Sequence, residues 1–163
     1  MAEGARRALI VATGSYTDPK LHSLRAPAAD AHALGAVLHD PDVGDFAVDV
    51  VLDADETELS RRIARFLRQA RRDDVLLLHL SCHGIKDDRG ELYFAAKDTE
   101  LDLPDATAIS ASWLNEQISR SPSRRILFLL DCCFRLAVVF RSAPTELAPG
   151  LTFRTTSKVE VTQ

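Results

Sequence analysis

Four short, largely apolar runs limit what this chain can fold into: Ala8 to Ala12, Ala47 to Leu52, Val75 to Ser81 and Arg125 to Asp131. A run that is apolar at consecutive positions has no wet face, so such strands are buried on both sides. The stretches between them carry helical periodicity. Residues 28–39 place Ala31, Leu34, Val37 and Leu38 on one side of a helix, and the stretch after Asp55 places Leu59, Ile63, Phe66, Leu67 and Ala70 on one stripe. Asp55 and Glu58 resemble a capping box. Ser110 or Ser112 is positioned to cap a third helix, which carries Trp113, Leu114 and Ile118. Asp87-Asp88-Arg89-Gly90 marks a turn before a short strand at Leu92 to Ala96, and Leu101 to Ala108 reads as a polar, Pro-containing loop. The order strand, helix, strand, helix, strand, hairpin, helix, strand specifies an α/β fold. It is a three-layer sandwich with a mostly parallel central sheet.

Composition narrows the function. A length of 163 residues suits one domain with a real core, and a net charge of −4 favours neither nucleic acid nor a membrane surface as partner. The arginines at 61, 62, 65, 68, 71 and 72 are interleaved with Glu56, Glu58 and Asp73, as on a solvated helix face. No stretch reaches the roughly 20 apolar residues of a membrane span. Arg6 and Arg7 precede a short apolar run followed by Gly14, Tyr16 and Asp18, which is not a secretory signal pattern. The three cysteines are an odd number, two of them are adjacent, and no Cys-x-x-Cys pair occurs. That usage suits a reducing cytoplasm rather than a disulfide framework or structural zinc.

Two of the apolar runs end in chemically competent residues: Leu78-His79-Leu80-Ser81-Cys82-His83-Gly84, and Leu127-Phe128-Leu129-Leu130-Asp131-Cys132-Cys133-Phe134. Ligands of open parallel sheets sit beyond the carboxyl ends of the strands, which is where both motifs fall. An imidazole beside a thiol raises its thiolate fraction or takes its proton, and later protonates a leaving amine. The N–H of Gly84 is a candidate donor to an oxyanion. Strand alternation puts Cys82 on the side opposite Ser81 and His83, so it reads as packing. It also separates Cys132 from Cys133 and leaves open which of the two faces the cleft. Taken singly, a strand cysteine is usually core and a strand-end histidine an ordinary polar residue.

Together the motifs resemble the caspase-like clan of cysteine peptidases, with the bacterial metacaspase-like members as the nearest match. Ser81-Cys82-His83-Gly84 and Asp131-Cys132-Cys133 stand where that group has Ser-x-His-Gly and Asp-x-Cys. Cys133 follows His83 by 50 residues, a caspase spacing. The resemblance runs from Ala8 to Phe134 and includes Ala111-Ser112-Trp113-Leu114. It implies a Cys-His dyad of Cys133 and His83, with Gly84 at the oxyanion. It also implies a pocket of Asp30, Ser81 and Asp131 for a basic P1 side chain, two carboxylates against one cation. Asp30 enters through Arg25-Ala26-Pro27-Ala28-Ala29-Asp30. Ala26, Pro27 and Ala29 there depart from the family's Gly, Cys and Asn. As a helix N-terminal acid, Asp30 also has a purely structural reading.

A second departure follows the motif. Phe134-Arg135-Leu136 replaces the family's continuation into Ser-Gly. Residues 1–134 then read as the large-subunit part of the domain. Residues 135–163, with Pro144, Pro149, Gly150 and the apolar patch Leu136 to Phe140, read as an atypical tail. The C-terminal part of the fold is expected to be missing or altered. The implied function is a cysteine-type endopeptidase acting on protein or peptide substrates, impaired unless another segment completes the sheet. A fused or associated effector or sensor domain is an implied partner. The alternative is a non-catalytic interaction module on the same fold. A flavodoxin-like domain fits less well, because Ala12-Thr13-Gly14-Ser15 is too short for a phosphate loop. Calcium dependence is common among metacaspases. Asp87, Asp88 and Glu91 nonetheless read as a polar turn, and neither a metal site nor a cofactor is expected.

Overall fold

The computed structural model describes residues 4–132, and also 135–142 for their main chain alone. Cys133, Phe134 and residues 143–163 lie outside the described residues. The chain runs β1 (Arg6–Ala12), α1 (Pro27–His39), β2 (Ala47–Leu52), α2 (Glu56–Arg68), β3 (Val75–Cys82), β4 (Gly84–Lys86), β5 (Leu92–Ala95), α3 (Pro104–Thr107), β6 (Ala108–Ser110), α4 (Ala111–Ser119), β7 (Arg125–Cys132) and β8 (Arg135–Ser142).

The main sheet has the order β2-β1-β3-β7-β8. Its first four strands are parallel and β8 is antiparallel to β7. Helical crossovers make the parallel pairings possible and cover the faces. On one face, Ile10, Ala12, Val48 and Val50 pack against Ala31, Leu34 and Leu38 of α1. On the other, Leu9, Leu78, Leu80, Phe128 and Leu130 share a cluster with Leu59, Ile63 and Leu67 of α2 and with Leu114 and Ile118 of α4. The result is the expected three-layer α/β sandwich. A second, antiparallel sheet, β4-β5-β6, stands beyond the carboxyl end of β3.

Local signals account for several boundaries. Asp55 caps α2 by accepting from the Glu58 N–H at 2.7 Å. Ser110, rather than Ser112, caps α4 by accepting from the Trp113 N–H at 3.1 Å. In the β4–β5 turn, one Asp87 oxygen accepts from the Arg89 and Glu91 N–H groups, each at 2.9 Å. That carboxylate is therefore occupied in shaping the turn.

Three expectations change. Val37 is 53% exposed rather than on the core face. Helix α1 seats on the small residues Ala31 and Gly35, where a Cβ at Gly35 would lie 3.5–3.6 Å from Val48, Val50 and Ile10. The stretch 101–108 is not all loop: it contains α3, and β6 begins at Ala108. The Thr107 hydroxyl donates to the Leu103 carbonyl at 2.7 Å, and Ala108 pairs with Ala95. Finally, the Leu136 to Phe140 patch lies within β8, which pairs with β7 along its whole length.

Candidate active site

The site is built where β3 and β7 end. Their register sets Ser81 opposite Asp131 and Cys82 opposite Cys132, so the two motifs finish level with each other. His83 follows directly and is half-buried.

A loop after β1 holds His83 in place. One Asp53 oxygen accepts from the N–H groups of Gly14 and Ser15 at 2.8 and 2.9 Å. Asp53 itself has φ 48°, a left-handed conformation that Asp tolerates better than most residues. The Leu24 N–H donates to the Gly14 carbonyl at 2.8 Å. A Cβ at Gly14 would come within 2.7 Å of the Leu24 carbonyl oxygen, so this close approach requires glycine. The loop then delivers two groups to the imidazole. The Tyr16 ring lies 4.9 Å from the His83 ring, centroid to centroid. Its hydroxyl accepts from the His83 N–H at 3.0 Å and donates to the Thr13 carbonyl at 2.8 Å. The second group is the His22 carbonyl, which accepts from His83 Nε2 at 2.7 Å. A carbonyl only accepts, so Nε2 carries the proton and the lone pair of the neutral ring lies on Nδ1.

Gly84 pairs with Phe94, while the flanking His83 carbonyl accepts from the Ala95 N–H at 2.9 Å. That pattern turns the Gly84 N–H away from β5, toward the open side of β4. A cavity of about 290 Å³ is lined by Leu21, His22, His83, Gly84 and Ile85. Asp30, Ser81 and Asp131 do not line it.

Cys82 and Cys132 both face the core. Cys82 is buried in the α2/α4 core cluster, with its Sγ 3.8 Å from that of Cys132, which packs against the same cluster. Cys132 thus sits on the core face, opposite Ser81 and Asp131. The expected nucleophile, Cys133, lies outside the described residues. Two of the three pocket candidates, Asp30 and Asp131, act on one buried group. Asp30 is exposed in the first turn of α1, Asp131 is exposed at the end of β7, and Ser81, opposite Asp131 on β3, is 4% exposed. Beneath Ser81 is His79, 8% exposed. Burial pushes its pKa below the ordinary imidazole value, while Asp131 and Asp30 pull it less strongly upward. Among the described residues no group of three or more His, Cys, Asp or Glu could hold a metal ion, and no helix is long and apolar enough to cross a membrane.

Sequence reasoning did not find Tyr16, the His22 carbonyl or His79. A backbone acceptor leaves no residue signature. Tyr16 is a single aromatic in a polar loop, and His79 is one letter inside an apolar strand.

Comparison with known proteins gives this arrangement its family. The caspase domain profile matches residues 5–160. The chain belongs to the caspase-domain family. Among solved structures it is similar to protein GSU0716 from Geobacter sulfurreducens, with a TM-score of 0.63, 19% identity, and 79% of this chain covered. It is also similar to pro-sf-caspase-1, with a TM-score of 0.64, 18% identity and 99% of this chain covered. At those identities the likeness is one of fold. The matches span only 50% and 55% of the two neighbouring chains. No curated protein matches the chain by sequence.

Proposed function

We propose that this caspase-family chain is a cysteine-type endopeptidase that cleaves after Arg or Lys, in the manner of the metacaspase-like bacterial proteins it resembles. The observation that carries the reading is the tethered imidazole of His83. Its Nε2 is committed to the His22 carbonyl at 2.7 Å, which makes Nδ1 the basic nitrogen at the level where β7 ends. Cys133 supplies the nucleophile. Cys132 packs against the core cluster, which argues against it as the nucleophile and supports Cys133, the residue the resemblance implies.

In the proposed reaction, His83 Nδ1 takes the Cys133 thiol proton and the thiolate attacks the scissile carbonyl carbon. The resulting oxyanion is met by the N–H groups of Gly84 and Cys133. The imidazolium then protonates the leaving amine, and the same nitrogen activates the water that hydrolyses the thioester. Asp30, Asp131 and Ser81 receive the basic side chain before the scissile bond. The steps need no cofactor. Protein or peptide substrates are the partners, an effector or sensor domain fused to or associated with this one is expected, and the cytoplasm is the compartment.

A fluorogenic peptide with Arg at P1 tests the reading, assayed with the unmutated chain and with Cys133→Ala and Cys132→Ala. Cleavage should vanish in the first variant and persist in the second. Equal activity in all three would sink the assignment. Half-burial of Leu127 and Leu129 on the α1 side of β7 favours a second reading, a non-catalytic module that docks a partner on that face. Alkylation separates the two. A catalytic Cys133 reacts faster than Cys82 and Cys132, whereas a docking module labels slowly at all three.

A further inference from the structure

His79 is four residues before His83 on β3 and shares a sheet face with Ser81, because strand side chains alternate. It is more than nine-tenths buried, and its Nδ1 is enclosed without a hydrogen-bond partner. Its strand neighbours in register, Ile10 on β1 and Leu129 on β7, are apolar and offer no bond. The charged groups that act on it come from two other places, Asp30 on α1 and Asp131 at the end of β7. Those are the two carboxylates of the proposed pocket, and Ser81, its third member, lies directly above. A buried ring with an unpartnered nitrogen, close enough to two exposed acids to feel their charge, is what the floor of a cation-binding pocket requires.

We infer that His79 is the floor of the basic-residue pocket and a specificity-determining residue, its neutral imidazole accepting an N–H from the cationic side chain held between Asp30 and Asp131. The inference rests on the reading that this pocket takes Arg or Lys. A guanidinium offers five N–H groups and an ammonium three, so an additional acceptor favours Arg over Lys. The acceptor works only while the ring is neutral. Protonation removes the lone pair and puts a cation where the substrate's cation must go. Burial keeps the ring neutral at neutral pH, so binding weakens as pH falls below the ordinary imidazole range.

Benzamidine, a mimic of the arginine side chain, measures this by calorimetry without requiring turnover. In the unmutated chain its Kd should rise between pH 7.5 and 5.5, by less than the roughly tenfold an unshifted imidazole would give, and adding it at pH 7.5 should move the His79 ring-carbon resonance. His79→Leu should weaken binding at pH 7.5 at least fivefold. His79→Gln keeps an acceptor that does not titrate, so it should restore most of the affinity and flatten the pH dependence. If benzamidine binds in an Asp131-dependent way while His79→Gln keeps the full pH dependence and the His79 resonance stays fixed, the floor assignment is overturned and the pocket stands. If benzamidine does not bind, or Asp131→Asn leaves binding unchanged, the pocket reading fails and the inference fails with it.

Discussion

The Tyr16 hydroxyl serves two segments at once, accepting from the His83 N–H and donating to the Thr13 carbonyl. Tyr16→Phe keeps the ring against the imidazole but leaves both backbone groups short of a partner. Each such loss costs about 1–2 kcal/mol in partly buried surroundings. Urea unfolding should report a destabilisation of about that size or somewhat more, and peptide cleavage should fall with it because the main chain that carries the imidazole loses its tie to the loop. A Tyr16→Phe chain of unchanged stability would show that the hydroxyl bridges nothing of consequence. His79 supports a prediction of a different kind. Its pKa is lowered in the folded state, chiefly by burial, so the unfolded chain binds the proton more readily. The neutral ring's contribution is fully present above the unfolded value of about 6.5. It is lost as pH falls from there through the depressed folded pKa. Stability measured between pH 7.5 and 5 should therefore decline toward acid. His79→Gln should remove part of that slope, and an unchanged slope would assign it to other groups.

Among the elements, α4 gives the cleanest test of how local sequence sets structure. Two serines competed for its cap, and only Ser110 receives the Trp113 N–H. Ser110→Ala should cost about 1 kcal/mol in thermal or urea unfolding, whereas exposed Ser112→Ala should stay within about 0.5 kcal/mol. The reverse ranking would mean the cap is misassigned. The parallel strands and amphipathic helices were legible because burial on two faces, or on one stripe, leaves a periodic mark. Helix α2 is the clearest case, with Leu59, Ile63, Phe66 and Leu67 buried and its arginines outside, Arg62 paired with Asp49 and Glu58. Short β6 and edge strand β8 were not legible, because pairing with a neighbour decides them more than their own residues do. The site divides in the same way. His83, Gly84, Ser81 and Asp131 stand out in the sequence because they interrupt apolar runs at strand ends, and the register of β3 and β7 brings those ends level. The tyrosine and the carbonyl that orient His83 belong to a loop whose path is fixed by Gly14 and Asp53, a contact 39 residues apart in sequence.

At the scale of the molecule, the two faces of the sheet are covered unequally. On the α2/α4 side, Ile126, Phe128 and Leu130 of β7 are each 3% exposed. On the α1 side, Leu127 and Leu129 of the same strand are half-buried, since α1 packs over β1 and β2 rather than over β7. The proposed pocket opens on that thinner side, with Asp30 arriving from α1 and Asp131 from β7. The chain spans about half the length of the two neighbouring folds. Truncation separates a covered face from an uncovered one. Leu130→Ala removes a fully packed side chain and should cost about 2–5 kcal/mol. Leu129→Ala should cost less than half as much in the chain alone, because its side chain already meets solvent. Equal costs by urea unfolding would mean that the α1-side face is covered within this chain. The peptidase assay should then show full Arg-peptide turnover without any added partner. Unequal costs should go with weak turnover, limited by a pocket that is walled on one side.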